Sequence, residues 1–173
     1  MNTRAISKIE AARAQLDAAI ELHFTSENFM AVHMLTAAAY NLLRDLAKHD
    51  GNDRPFLKSE WVNGLNEKEK RAALAFLNAP ENFFKHANRD PNALLTEFNL
   101  ELTEILLLDA IAYFKPLPVH ERPKHYDTLL IWFGVPRVGL SEAEKSFFEL
   151  ARAVLQSQGK KAFWGLVVER EKR

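Results

Sequence analysis

The stretch Pro80-Glu81-Asn82-Phe83-Phe84-Lys85-His86-Ala87-Asn88-Arg89-Asp90-Pro91 sets two aromatics and a dense run of groups able to handle a proton or an anion between two prolines. In helical geometry Asn82, His86 and Arg89 stand at i, i+4 and i+7 and share one face. An imidazole titrates near neutral pH and can act as general acid or base, while a guanidinium clamps an anion through paired N–H donors. His86, Asn82 and Arg89 are therefore the catalytic candidates, for proton transfer beside a bound anion. The plainer alternative is that Asn82, His86 and Asp90 cap and brace a helix end before Pro91.

A second polar stripe lies earlier. His33, Ala37, Tyr40 and Arg44 recur at helical spacing, and the alanines at 37–39 would let another helix or a ligand approach closely. His33, Tyr40, Arg44 and Lys85 are the ligand-binding candidates, lining a pocket or dimer groove shared with His86. The alternative is that His33 and Tyr40 are semi-buried with satisfied hydrogen bonds. Among the six histidines, His120 and His125 (with Asp127) are the close pair, but they straddle Pro123 and lack the i, i+4 spacing of a helical metal pair. No metal site and no cofactor is expected, since a Gly-rich phosphate loop, a nucleophile elbow and a dinucleotide fingerprint are also missing. Asp109, set in the apolar run Leu106-Leu107-Leu108-Asp109-Ala110-Ile111, needs a buried partner, and Arg44 or Lys85 is the expected cation.

The elements that must position these groups read as helices throughout. Ser7 with Glu10 marks the start of a helix over 4–24 with the stripe Ile9, Leu16, Ile20 and Phe24. A short polar turn leads into a second helix ending near His49, with the core stripe Val32, Leu35, Ala39, Leu42 and Leu46 and the stop signal Asp50-Gly51. So short a connection makes the two helices antiparallel neighbours. Residues 50–65 form a loop, with room for a short helix, that Phe56 and Trp61 should pin. Asn66 with Glu69 opens a third helix that Pro80 should kink or restart. A fourth runs from Asn92 to Lys115-Pro116 and is the most apolar. Further helices near 122–133, 141–157 (Ser141 with Glu144) and 160–170 follow a proline-rich passage. The fold class is all-α: a four-helix up-and-down bundle over 1–115, with a C-terminal helical extension over 116–173 packed on it as one domain overall.

Composition narrows the function classes. Lys plus Arg equals Asp plus Glu at 23 each, so no global positive field holds a polyanion, and any nucleic-acid contact must be local. The absence of cysteine excludes thiolate catalysis and thiolate-bound zinc, and fits a cytoplasmic location. The start lacks an apolar signal core, and no apolar run approaches the roughly 20 residues that span a bilayer, so no membrane partner is expected.

Two long helices followed by a helix ending in Asn82-Phe83-Phe84-Lys85-His86-Ala87 and Arg89-Asp90-Pro91 resemble the HEPN superfamily of small helical bundle proteins, over roughly residues 6–115. Ser7-Lys8-Ile9-Glu10-Ala11-Ala12 and the Val32-His33 to Tyr40 pattern carry the same resemblance. It implies a homodimer with the motifs facing each other and, in many members, metal-independent RNA cleavage. The superfamily motif is Arg, a polar residue, three further residues, then His. Asn82 and His86 match it, but the Arg position is Glu81, whose carboxylate repels phosphate. The resemblance therefore leads first to a dimeric binding or interaction module, with a protein partner, in a bacterial defence or toxin–antitoxin setting. Its alternative is an endoribonuclease with RNA or a nucleotide as ligand, in which His86 works with Arg89 or Lys85 as surrogate cation.

Overall fold

The computed structural model of the chain describes residues 3–51, 56–86, 88, 90–135 and 139–171, and every structural statement below concerns these. Seven α-helices are found among them: α1 (Lys8–Thr25), α2 (Phe29–His49), α3 (Glu67–Lys85), α4 (Leu100–Ala112), α5 (Tyr126–Trp132), α6 (Glu142–Gln158) and α7 (Lys160–Glu171). A π-helical turn, Phe56–Trp61, precedes α3, and a 3-10 turn, Val119–Glu121, precedes α5. The described residues contain no strand, and no helix is long and apolar enough to cross a membrane.

Local sequence explains the helix starts. Ser7, Asn66 and Ser141 each accept an N–H of the first turn, and Glu10, Glu69 and Glu144 reach back to the cap backbone, closing three capping boxes. The stops are also local: Gly51 (φ 71°) follows the α2 cap, and Gly159 (φ 81°) turns α6 into α7, at a backbone conformation that side chains disfavour.

Several boundaries depart from the sequence reading: α1 begins at Lys8 rather than at 4 and α5 at Tyr126 rather than near 122, and two further departures are informative. Pro80 does not restart α3, which continues unbroken from Glu67 to Lys85. The carbonyl deprived of its N–H partner belongs to Phe76, an exposed residue, so water can complete the bond. The fourth helix begins at Leu100, not Asn92, because Asn99 accepts the Leu102 N–H and so supplies the cap. Phe98, just before that cap, packs against His33, Phe29 and Phe84, and this tertiary contact holds the preceding chain out of helix.

The α1–α2 pair forms the largest helix interface, α4 lies on both, and the α6–α7 hairpin returns α7 to α1. The core joins Leu16, Ile20 and Phe24 of α1, Tyr40 and Leu43 of α2, Leu107 and Ile111 of α4, Leu129 of α5 and Phe163 of α7. Helix α3 packs chiefly on α2 and buries only Leu77, Pro80 and Glu81. The loop before it is anchored by Leu57, Lys58 and Val62, whereas Trp61 is largely exposed and the Phe56 side chain lies outside the described set.

Leu107 is fully enclosed, so Leu107→Ala should cost about 2–5 kcal/mol in urea unfolding, combining lost transfer energy with a residual cavity. The matched control Leu94→Ala, at an 84% exposed position, should change stability by less than about 0.5 kcal/mol.

Candidate functional site

The motif segment closes α3. Asn82 and His86 are exposed, and the link between them is the helical bond from the His86 N–H to the Asn82 carbonyl, which makes His86 the C-cap. Arg89 lies outside the described residues. No side-chain hydrogen bond orients the His86 imidazole among the described residues.

One turn back, Glu81 points inward. Its carboxylate accepts both Asn41 Nδ2 contacts, at 2.9 and 3.0 Å, pairs with Lys85 on its own helix, and lies 3.9 Å from Lys58 Nζ. Lys58 reaches this point from the π-helical turn and also donates to Asn41 Oδ1 at 3.4 Å. Its side chain is 1% exposed. Burial pushes the Lys58 ammonium down to about 8, against the pull of Glu81. Burial opposes the charge on Glu81 too, but Lys85, Asn41 and Lys58 together outweigh it and hold the carboxyl below its usual range. The result is a buried Glu81–Lys58 pair completed by an amide and by one half-exposed lysine.

The helix 2 stripe is inside the molecule. His33 is 1% exposed, with Nδ1 2.9 Å from Thr103 Oγ1 of α4 and its ring against Phe98 and Phe84. Tyr40 is fully enclosed, its hydroxyl accepting the Lys58 N–H and hydrogen-bonded to Asp109, while burial raises its pKa. Asp109 also accepts the Leu57 N–H at 3.0 Å. Arg44 is half-buried and pairs with Asp45. The structure thus brings Tyr40, Asp109, Lys58, Asn41, Glu81 and Lys85 into one polar chain, leaves His33 at its edge, and keeps His86 and Asn82 outside.

A separate buried group escaped the sequence reading. His23 of α1, 6% exposed, lies 3.6 Å from Glu104 of α4 and 3.4 Å from Lys160 of α7, edge-on to Phe24 and Trp132. Lys58, Asn41, His23 and Glu104 were missed because each pairing joins distant segments. The one local hint was His23 lying within the apolar stripe of α1. Among the described residues no cluster of His, Asp and Glu is arranged to hold a metal.

The chain matches no protein-family model, no curated protein and no solved structure.

The buried pair makes a direct prediction. Glu81→Ala strands the Lys58 charge and should cost about 3–5 kcal/mol in urea unfolding, whereas adding Lys58→Met should recover most of that loss. The two enclosed histidines set an acid limit. Burial holds His23 and His33 at about 4, below the ordinary 6.5. The unfolded chain therefore binds protons first, so stability is full above about pH 6.5 and falls as pH drops toward 4, by of order 3 kcal/mol per histidine. Unfolding midpoints measured across that range should show a slope that His33→Gln makes shallower; an unchanged slope would refute the assignment.

Proposed function

We propose that the chain is a HEPN-like helical interaction protein that works as a homodimer and does not cleave RNA. The observation that carries this reading is Glu81. It stands where the motif's phosphate-clamping Arg would be, and its carboxylate is turned inward onto Asn41, Lys58 and Lys85. Lys85, one of the two cations considered as a surrogate clamp, is engaged by that carboxylate. With Lys85 so engaged, His86 can move a proton, but stabilising the charge that develops on a phosphorane would fall to Arg89, which lies outside the described residues.

The surface beside the motif supports the interaction reading. Phe29 stacks on Phe98 yet remains 44% exposed, and Met30, next to Phe29 in the chain, and Leu100, two residues after Phe98, are about half exposed. Together with Phe84 and Phe98 they give the motif end of α2, α3 and α4 an apolar rim of the kind that protein partners cover. A second copy, set motif to motif, is the occupant that the HEPN resemblance implies.

Two measurements check this. Light scattering after size exclusion should give twice the chain mass, and Phe29→Glu should shift it to the monomer. Incubation with mixed RNA should yield no cleavage above that of His86→Ala. Cleavage by the wild type that His86→Ala abolishes would replace this reading with the ribonuclease one.

A further inference from the structure

On the α1 face where the segment after α4 returns, a cleft of about 410 Å³ is bordered by Arg13, Asp17, His120, Arg122, Lys124 and Asp127. What sets it apart is how its cations are held. Arg13 donates to the carbonyls of His120 (3.4 Å) and Glu121 (3.5 Å). Arg122 donates to the carbonyls of Leu117 (3.0 Å) and Lys115 (2.9 Å), and its guanidinium lies over the Tyr126 ring at 5.1 Å. Among the described residues neither guanidinium nor the Lys124 ammonium forms an ion pair with a carboxylate. Carbonyls fix a guanidinium in place without cancelling its charge, and each Arg keeps N–H donors to spare. His120 stands at the rim, 3.7 Å from Glu121.

The acidic side of the cleft has a different role. Asp17 Oδ1 accepts the Lys124 N–H at 2.6 Å, which ties α1 to the loop, and Oδ2 has no protein hydrogen bond among the described residues. Burial pushes the Asp17 carboxyl up, with the Lys124 amide bond, His125, Arg13 and Lys124 pulling the other way. A cleft with two guanidinium groups held in place, a lysine beside them and a carboxylate oxygen without a protein donor suits a molecule that is anionic at one end and hydroxylated at the other. Its size is that of a small-metabolite site. Arg122 covers a face of the Tyr126 ring, so that face is not open to stacking a base.

From this geometry we infer that the cleft binds a phosphate monoester of a small sugar or polyol, its phosphate on Arg13, Arg122 and Lys124 and its hydroxyls on Asp17. This goes beyond the interaction reading and does not depend on it, since Glu81 and His86 take no part.

Calorimetric titration of the full chain tests it. Ribose 5-phosphate should bind one per chain, inorganic phosphate more weakly, and ribose not at all. Lys124→Gln leaves the loop's own bonds intact and should weaken ribose 5-phosphate about tenfold, the loss of one charge-assisted contact. Asp17→Asn keeps the acceptor for the Lys124 amide and should weaken ribose 5-phosphate several-fold while leaving inorganic phosphate unchanged or tighter. Circular dichroism confirms that both variants fold. Failure of the wild type to bind any phosphate ester at millimolar concentration would overturn the assignment, as would equal affinity in Lys124→Gln. Capture of a short single-stranded RNA that ribose 5-phosphate cannot displace would assign the cleft to nucleic acid instead.

Discussion

The fold depends on the burial of α2. This helix lies against α1, α4 and α3, so residues on several of its faces are withdrawn from water, including polar ones. A buried polar group without a partner costs a large part of the margin by which a domain is stable. Thr36 returns its hydroxyl to the Val32 carbonyl of α2 itself, whereas three others bond outward: His33 to Thr103 of α4, Tyr40 to Asp109 of α4 and the backbone of the π-helical turn, Asn41 to Glu81 of α3. The bonds that α2 needs are also those that fix the register of α3 and α4 against it. The apolar core alone would tolerate sliding; directional bonds at several heights do not.

The Glu81–Lys58 pair shows how strongly such a chain is constrained. Neither charge could be buried alone, and their mutual attraction repays desolvation only with further hydrogen bonds in place. Asn41 supplies these to both, offering its Nδ2 to the carboxylate and its Oδ1 to the ammonium. Lys58 sits on a π-helical turn, a rare geometry with weaker internal bonding, and the Leu57 N–H is satisfied by Asp109 rather than by its own turn alone. The irregular segment is thus held from outside, by side chains of α2, α3 and α4.

Much of the helix layout was legible because its signals are local. A Ser or Asn followed three residues later by Glu marks a helix start whatever surrounds it, and all three such boxes form. The failures were tertiary. Asn92 lost to Asn99 because Phe98 is drawn into the cluster around His33, a contact across distant segments. The stripe Val32, Leu35, Ala39, Leu42 and Leu46 was placed toward the core, but Leu35, Leu42 and Leu46 are half-buried while His33, Thr36, Ala37 and Tyr40 are enclosed. Hydrophobic spacing sees one buried side, and α2 has several. Asp109 was rightly marked as needing a partner, yet the partners seen, Leu57 and Tyr40, could not be named from spacing alone.

The two sites treat their cations in opposite ways, and that contrast bears on which of them can meet an anion. At the motif, Lys58 and Lys85 both converge on Glu81, so each of these cations is directed at a carboxylate within the protein. At the cleft, Arg13 and Arg122 are anchored by carbonyls, which orient a guanidinium without cancelling its charge. A count of charged residues sees no difference between these arrangements, since the chain as a whole is neutral. The difference lies in the acceptor. Where the acceptor is charged, the cation becomes part of the scaffold; where it is a backbone dipole, the cation is positioned and still available. A motif search leads to the first place, because His86 is conspicuous in sequence, whereas the electrostatics lead to the second.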